Sequence, residues 1–302
     1  MVVLVALGSA LAYAVASVLQ QYAAVRAPDS DALRMSLLFR LATRPVWLIG
    51  ILADVAGFVL QFIALGHGSL VLVQPLLVCG LLFALPLGAV FARNGPPSRQ
   101  EWMGAALTVA GLALFLIVAN PGSGSDSASA FGWTIVTVTT AVPAAIMTIT
   151  ARLTSGAVRA SLLATAAGFI YGLTAAYTKT VAHIVTANPG SIAHLALRMA
   201  ESWEVYGIVI TGLASMILAQ SAFQAGPLGW SLPALTVVDP VVSIIVGALA
   251  FGEFVDASVG ALTVEAIGLL VMAAGVVVVA HSPSVPGRPE AVANVPSHAD
   301  QP

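Results

Sequence analysis

Nine stretches of this sequence are apolar for long enough to cross a lipid bilayer, and no other feature restricts the fold so severely. They lie at 2–24, 45–66, 69–91, 102–119, 131–151, 160–186, 206–224, 228–251 and 257–280. A helix rising 1.5 Å per residue needs about 20 apolar residues to traverse hydrocarbon. Lipid offers an open backbone no hydrogen-bond partner, so each stretch must satisfy its own N–H and C=O groups as a helix. The runs are continuous rather than alternating, which argues against a barrel of outer-membrane strands. The expected fold class is all-α: a polytopic helical membrane protein of about nine transmembrane helices.

Charge supports this reading. Only 8% of the 302 residues are Asp, Glu, Lys or Arg, against about 25% in soluble domains. A soluble fold of this size could not coat its surface with so few. The formal net charge of −2 offers no basic face to nucleic acid. Cys79 is the one cysteine, so it forms no internal disulfide and reads as a small buried hydrophobe. The first run starts without a preceding Lys or Arg, and residues 2–24 therefore read as a retained span rather than a cleaved signal.

Tryptophans and arginines set boundaries and direction. Trp47, Trp102 and Trp133 begin spans, Trp203 precedes one and Trp230 lies near the start of another, as an interfacial aromatic belt requires. Arg26, Arg34, Arg40, Arg44, Arg93, Arg99, Arg152, Arg159 and Arg288 fall on one side of the implied topology, and the opposite loops hold only Arg198. The positive-inside rule then places the N-terminus outside and the C-terminus in the cytoplasm of a multi-pass protein of the cell membrane. Residues 121–130 (PGSGSDSASA) read as a flexible connector, and the proline-rich residues 282–302 as a disordered cytoplasmic tail.

The halves of the chain resemble each other. Residues 64–75 (ALGHGSLVLVQP) align with 222–233 (AFQAGPLGWSLP) at an offset of 158, matching Ala64 to Ala222, Gly68 to Gly226, Leu70 to Leu228 and Pro75 to Pro233. Further on, Gly111 aligns with Gly268 at an offset of 157. Spans one to four thus correspond to spans six to nine. Five spans separate equivalent positions, so the halves have opposite orientation, an arrangement many secondary transporters use. The expected organisation is a first transmembrane repeat at 1–120, a linker with span five at 121–158, a second repeat at 159–281 and the tail at 282–302.

The stretch from Gly226 to Glu253 carries Gly226-Pro227, Pro233, Asp239-Pro240 and Gly252-Glu253 in register. In this it resembles the EamA-type repeat of the drug/metabolite transporter superfamily. Within that superfamily the chain looks most like the NIPA magnesium transporters, which are similar in having nine spans. The features that carry the likeness are Trp47, Gly50 and Asp54 in span two, Val73-Gln74-Pro75-Leu76 in span three, and Val277 to Pro283 at the end. An aspartate stands at 54 where that family has glutamate, and Asn94-Gly95 ends the first half where the second has Gly-Glu. The resemblance implies a transporter, with magnesium or another divalent cation as solute and Asp54 and Asp239 as its ligands.

Charge inside hydrocarbon costs about 2.5–3.5 kcal/mol on insertion scales, so each instance needs a partner or a task. Asp54, Lys179, Asp239 and Glu265 qualify. Asp239 precedes Pro240 in a span that also contains Pro233; it either faces a cavity opened by a broken helix or caps a half-helix. Asp54 and Gln61 are two turns apart on one face, suited to a cation or proton path, or to a helix–helix hydrogen bond. Glu265 is a pore residue or a neutral or paired acid. Lys179, four residues from His183, is expected to neutralise Asp239 or Glu265, or to hold an anionic solute. Gln74 and Tyr171 are further pore candidates, with Tyr177, Phe223 and Trp230 as other aromatic walls. Glu253 reads as a solvated carboxylate at a helix end.

The sequence has no G-x-x-x-x-G-K-[ST], no H-E-x-x-H and no G-x-S-x-G. The expectation is a non-enzymatic protein with no cofactor, driven by an ion gradient or the solute's own. Its expected partners are a small solute or divalent cation and the lipid bilayer, with a homodimer left open. The alternatives are a proton-coupled exporter of small organic metabolites or drugs, and a membrane scaffold that transports nothing.

Overall fold

The computed structural model describes residues 1–24, 35–92, 98–119, 122, 124–125, 127–187, 191–225, 228–253 and 258–281. Helices make up the regular structure of these residues, and no strand occurs among them. Eight helices are long and apolar enough to cross a membrane: α1 (Val2–Ala24), α3 (Pro45–Leu65), α6 (Arg99–Ala119), α7 (Ala130–Ala151), α8 (Gly156–Ala187), α10 (Trp203–Ala225), α11 (Leu228–Phe251) and α12 (Val259–Ala280). The remaining expected span is divided into α4 (Leu70–Leu77) and α5 (Gly80–Ala92). Two short helices, α2 (Met35–Ala42) and α9 (Ile192–Glu201), fall where the sequence reading placed loops. Arg26, Arg34, Arg93, Asn94-Gly95, Gly226-Pro227, Asp256 and the tail with Arg288 lie outside the described residues.

Apolar side chains point outward along these helices, among them Leu4, Ile49, Leu52, Ile117, Ile146, Ile210 and Leu270. Such a belt is stable only against lipid, which has no interest in charge. The helix α8 is the hub: 67% of its span is buried, against 39% or less in the others. Its inner faces are largely Ala, Gly and Thr, and these small residues let neighbouring backbones approach.

Helix packing follows the repeat. The helix α1 packs on α3 as α8 packs on α10, and α1 packs on α4 and α5 as α8 packs on α11. The short helices α2 and α9 also fall at corresponding places, 158 residues apart to within a residue at either end. The helix α6 pairs with its own counterpart, α12. There Gly111 and Gly268 meet: a methyl group added to Gly268 would stand 2.9 Å from the Gly111 carbonyl oxygen and 2.9 Å from the Phe115 nitrogen. The neighbouring contact brings Gly104 to Gly275, so the two helices run antiparallel. Gly111 and Gly268 are repeat mates, and residues that touch their own mates lie on the pseudo-two-fold axis.

Two departures from the sequence reading concern helix breaks. A break was expected near Pro233–Pro240, but α11 is continuous through both prolines. The break lies instead at Val78–Cys79, where Val78 N–H donates to Pro75 O and Cys79 N–H to Leu76 O, both at 3.1 Å, in tightened i to i−3 turns. The proline itself is not the cause, since Pro75 and Pro233 are repeat mates and only one span divides. Part of the expected flexible connector is also tied down: Ser125 N–H donates to Phe251 O at 2.6 Å.

Candidate functional site

A cavity of about 410 Å³ lies among α1, α3, α4, α8, α10 and α11. Many of its walls are repeat mates 158 residues apart: Tyr13 with Tyr171, Ser17 with Ala175, Asp54 with Gly212, Phe58 with Met216, Leu77 with Leu235 and Val78 with Thr236. The cavity therefore straddles the pseudo-two-fold axis, midway along the spans. Among the described residues, the charged ones that line it are Asp54, from the first half, and Asp239, from the second.

Local sequence explains how each side chain arrives. Asp54, Phe58 and Gln61 recur at helical spacing and so share one face of α3. Gly57, on the same side, meets the ring of Tyr13, where an added methyl would stand 2.8 Å from Cδ1. That missing side chain draws α1 inward and lets Tyr13 Oη donate to Gln61 Oε1 at 2.6 Å. Across the axis Ser215, mate of Gly57, lies against Tyr171, mate of Tyr13. Gly168 and Gly172 on α8 admit Val238 and Val242 of α11 in the same manner, seating Asp239 beside α8. Ser243, one turn on from Asp239, donates to its Oδ1 at 3.3 Å.

Of the residues singled out from sequence, Asp54, Gln61, Gln74, Tyr171 and Asp239 all line this cavity. The N-cap reading of Asp239 does not hold, because the residue sits inside α11. Glu265 is buried on α12, which contributes no wall. Tyr177 stacks on Trp133 with centroids 4.8 Å apart, Trp230 packs on His281, and Phe223 is buried elsewhere. None of these three lines the cavity.

Lys179 requires a correction. Its ammonium pairs with Glu253, not with Asp239 or Glu265. Glu253 is correspondingly not the solvated acid expected, since it is 3% exposed. Its Oε1 and Oε2 accept from the backbone N–H groups of Leu70 and Val71 at 2.8 and 2.9 Å. Ser69, the N-cap of α4, takes Leu72 N–H at 3.2 Å, and Val73 N–H reaches Ser69 O. Every N–H in the first turn of α4 is thereby satisfied, two of them by a carboxylate 182 and 183 residues away. Since Lys179 is engaged there, it leaves the two cavity acids without a lysine counter-ion.

Sequence reasoning missed Tyr13, Ser17, Phe58, Thr174 and Thr178 as cavity residues. The repeat offset carried back into α1 finds Tyr13 from Tyr171. It also missed Gln20, whose Oε1 accepts from Gln220 Nε2 at 2.8 Å and ties the halves together. Among the described residues no three of His, Cys, Asp and Glu gather into a metal cage. The site can offer a cation two carboxylates, with phenol, hydroxyl and amide groups around them.

Helices, lipid-facing belt and central cavity together define a multi-pass α-helical membrane protein. An uncharacterized protein of Corynebacterium glutamicum is 31% identical to this chain over 285 residues, covering 94% of this chain and 96% of that protein. The chain belongs to the family of that protein. No family model matches the sequence, and no solved structure matches it.

Proposed function

We propose that this chain is a secondary-type transporter of the drug/metabolite transporter superfamily. It carries a small cationic solute, with a hydrated divalent cation such as magnesium as the leading case. The observation that carries this reading is the meeting of Asp54 and Asp239, one from each half, in one cavity on the pseudo-two-fold axis. Secondary transporters built of inverted repeats bind their solute at this place, near the bilayer midplane between repeats. Two acids without a lysine counter-ion in the wall select for positive charge. Magnesium keeps several waters and binds through one or two carboxylates, which suits a cavity with two acids and hydroxyl and amide walls. The resemblance to the NIPA transporters points the same way. The positive-inside reading sets the N-terminus outside the cytoplasmic membrane and the C-terminus within.

The test is magnesium flux into proteoliposomes containing the full-length protein. Asp54→Asn and Asp239→Asn should each lower it at least tenfold; unchanged flux in both variants would end the magnesium reading. A second reading is favoured by the rings of Tyr13, Phe58 and Tyr171 and by a volume generous for one hydrated ion. It is export of a small organic cation against protons, and proton-dependent flux indifferent to magnesium would select it.

A further inference from the structure

The half-helix α4 is held in place by a carboxylate from the far end of the chain. It is eight residues long and supplies Gln74 and Leu77 to the cavity wall, with Val78 just beyond its end. Its first residues, Leu70 and Val71, are fully buried and lie one turn before Gln74, on the side where α3 ends and α4 begins. Trp133, Tyr177, Trp203 and Phe251 pack together at the same face. At its other end α4 gives way to the tightened turn at Val78–Cys79. It is thus a short helix between a capped first turn and a tightened turn.

Its outer end is fastened to the second half of the chain by a side chain. Glu253 takes two α4 N–H groups, and Lys179 neutralises that carboxylate while its Nζ sits 4.5 Å from the Phe251 ring centroid. Two devices aim Glu253. Gly252 adopts φ +60°, turning the chain back so that Glu253 N–H reaches Gly247 O at 3.0 Å. Gly247 has no side chain where one would collide with the Glu253 carboxylate. Lys179 follows Thr178, a cavity residue of α8, so one ion pair joins three walls: α4, α8 and α11.

The first half has no equivalent ion pair in its sequence. The repeat mates of Lys179 and Glu253 are Gln21 and Gly95, which offer neither charge. Gln74, which rides on α4 and lines the cavity, is 1% exposed, and neither its Oε1 nor its Nε2 has a hydrogen-bond partner among the described residues.

We propose that the Lys179–Glu253 pair is the latch of a gate formed by α4, and that releasing it opens the cavity to the face where α4 begins. This rests on the transporter reading for its purpose, but its test needs no solute. In full-length protein carrying Cys79→Ala and Ser17→Cys, reconstituted in vesicles, a charged, membrane-impermeant thiosulfonate is applied to each face. Lys179→Met and Glu253→Gln should each raise the rate of Ser17→Cys modification from the α4 face at least tenfold, with no rise from the opposite face. Unchanged rates, or equal rises from both faces, would overturn the latch. Val71 and Ile244 pack in one cluster, so Val71→Cys with Ile244→Cys provides a lock. Cross-linking this pair should abolish the extra modification in Lys179→Met, and reduction should restore it; modification that persists through the lock overturns the gate. A latch variant that opens the cavity yet carries no magnesium supports the gate and removes only the magnesium reading.

Discussion

If Gly111 and Gly268 lie on a pseudo-two-fold axis, substituting either with alanine should destabilise the same contact, Gly111 more than Gly268, and substituting both should do less damage than the sum. A methyl at 268 would stand 2.9 Å from Gly111 O, and one at 111 would stand 2.5 Å from Gly268 O, with Met272 N nearer still. The obstacles are backbone atoms of a facing helix, so no rotamer relieves them. The helices α6 and α12 must separate by about 1 Å to restore ordinary contact, and overpacking of this kind costs about 1–3 kcal/mol. One separation accommodates both methyls, so the double variant should fall short of the sum by about 1 kcal/mol, a coupling typical of residues in contact. Cys79 is the only cysteine and is buried, so a thiol-reactive fluorophore reports unfolding of the detergent-solubilised protein directly. Each single variant should lose a few degrees in Tm, on the order of 2–4 °C per kcal/mol. If the proposed function holds, magnesium flux should survive, because neither helix contributes a described wall of the cavity. Strictly additive losses, or damage from only one of the pair, would refute the axis.

The latch has its own energetics: Glu253→Gln strands Lys179 beside a neutral amide and should cost about 3–5 kcal/mol. Adding Lys179→Met should recover much of that in the same thiol-fluorophore melt, and no recovery would argue against a coupled pair. Glu253→Ala should be worse than Glu253→Gln, since it also orphans Leu70 and Val71 N–H at about 1–3 kcal/mol each. Gly252→Ala meets open space but keeps a left-handed φ of +60°, so it should cost about 1–2 kcal/mol from backbone strain alone. Gln220→Leu removes the hydrogen bond to Gln20 and should destabilise by about 0.6 kcal/mol, up to about 2 if Gln20 finds no replacement. A larger loss on mutating this pair would mean it holds the halves together more firmly than one hydrogen bond can.

Much of the site was legible because a charge in hydrocarbon is conspicuous without any structure. Asp54, Gln61 and Asp239 were found from span position and helical spacing, and all three face the cavity. The same reasoning misjudged Glu253, since a glutamate at a span end looks solvated until another helix covers it. It missed α2 and α9 because eight- and ten-residue helices fall below the length a span-sized window detects. It placed the break in the wrong repeat because both repeats carry the proline.

By itself the sequence determined the fold class and eight of the nine expected spans, since span length and mean polarity are properties of the chain read in order. Only the tertiary structure decided that Lys179 meets Glu253, that Glu253 caps a helix starting 183 residues earlier, and that Tyr13 stands opposite Tyr171. These pairings depend on how closely helices approach, which is set by glycines such as Gly57, Gly111 and Gly247 facing particular atoms of other helices. Such distances are fixed when helices pack, and no local pattern encodes them.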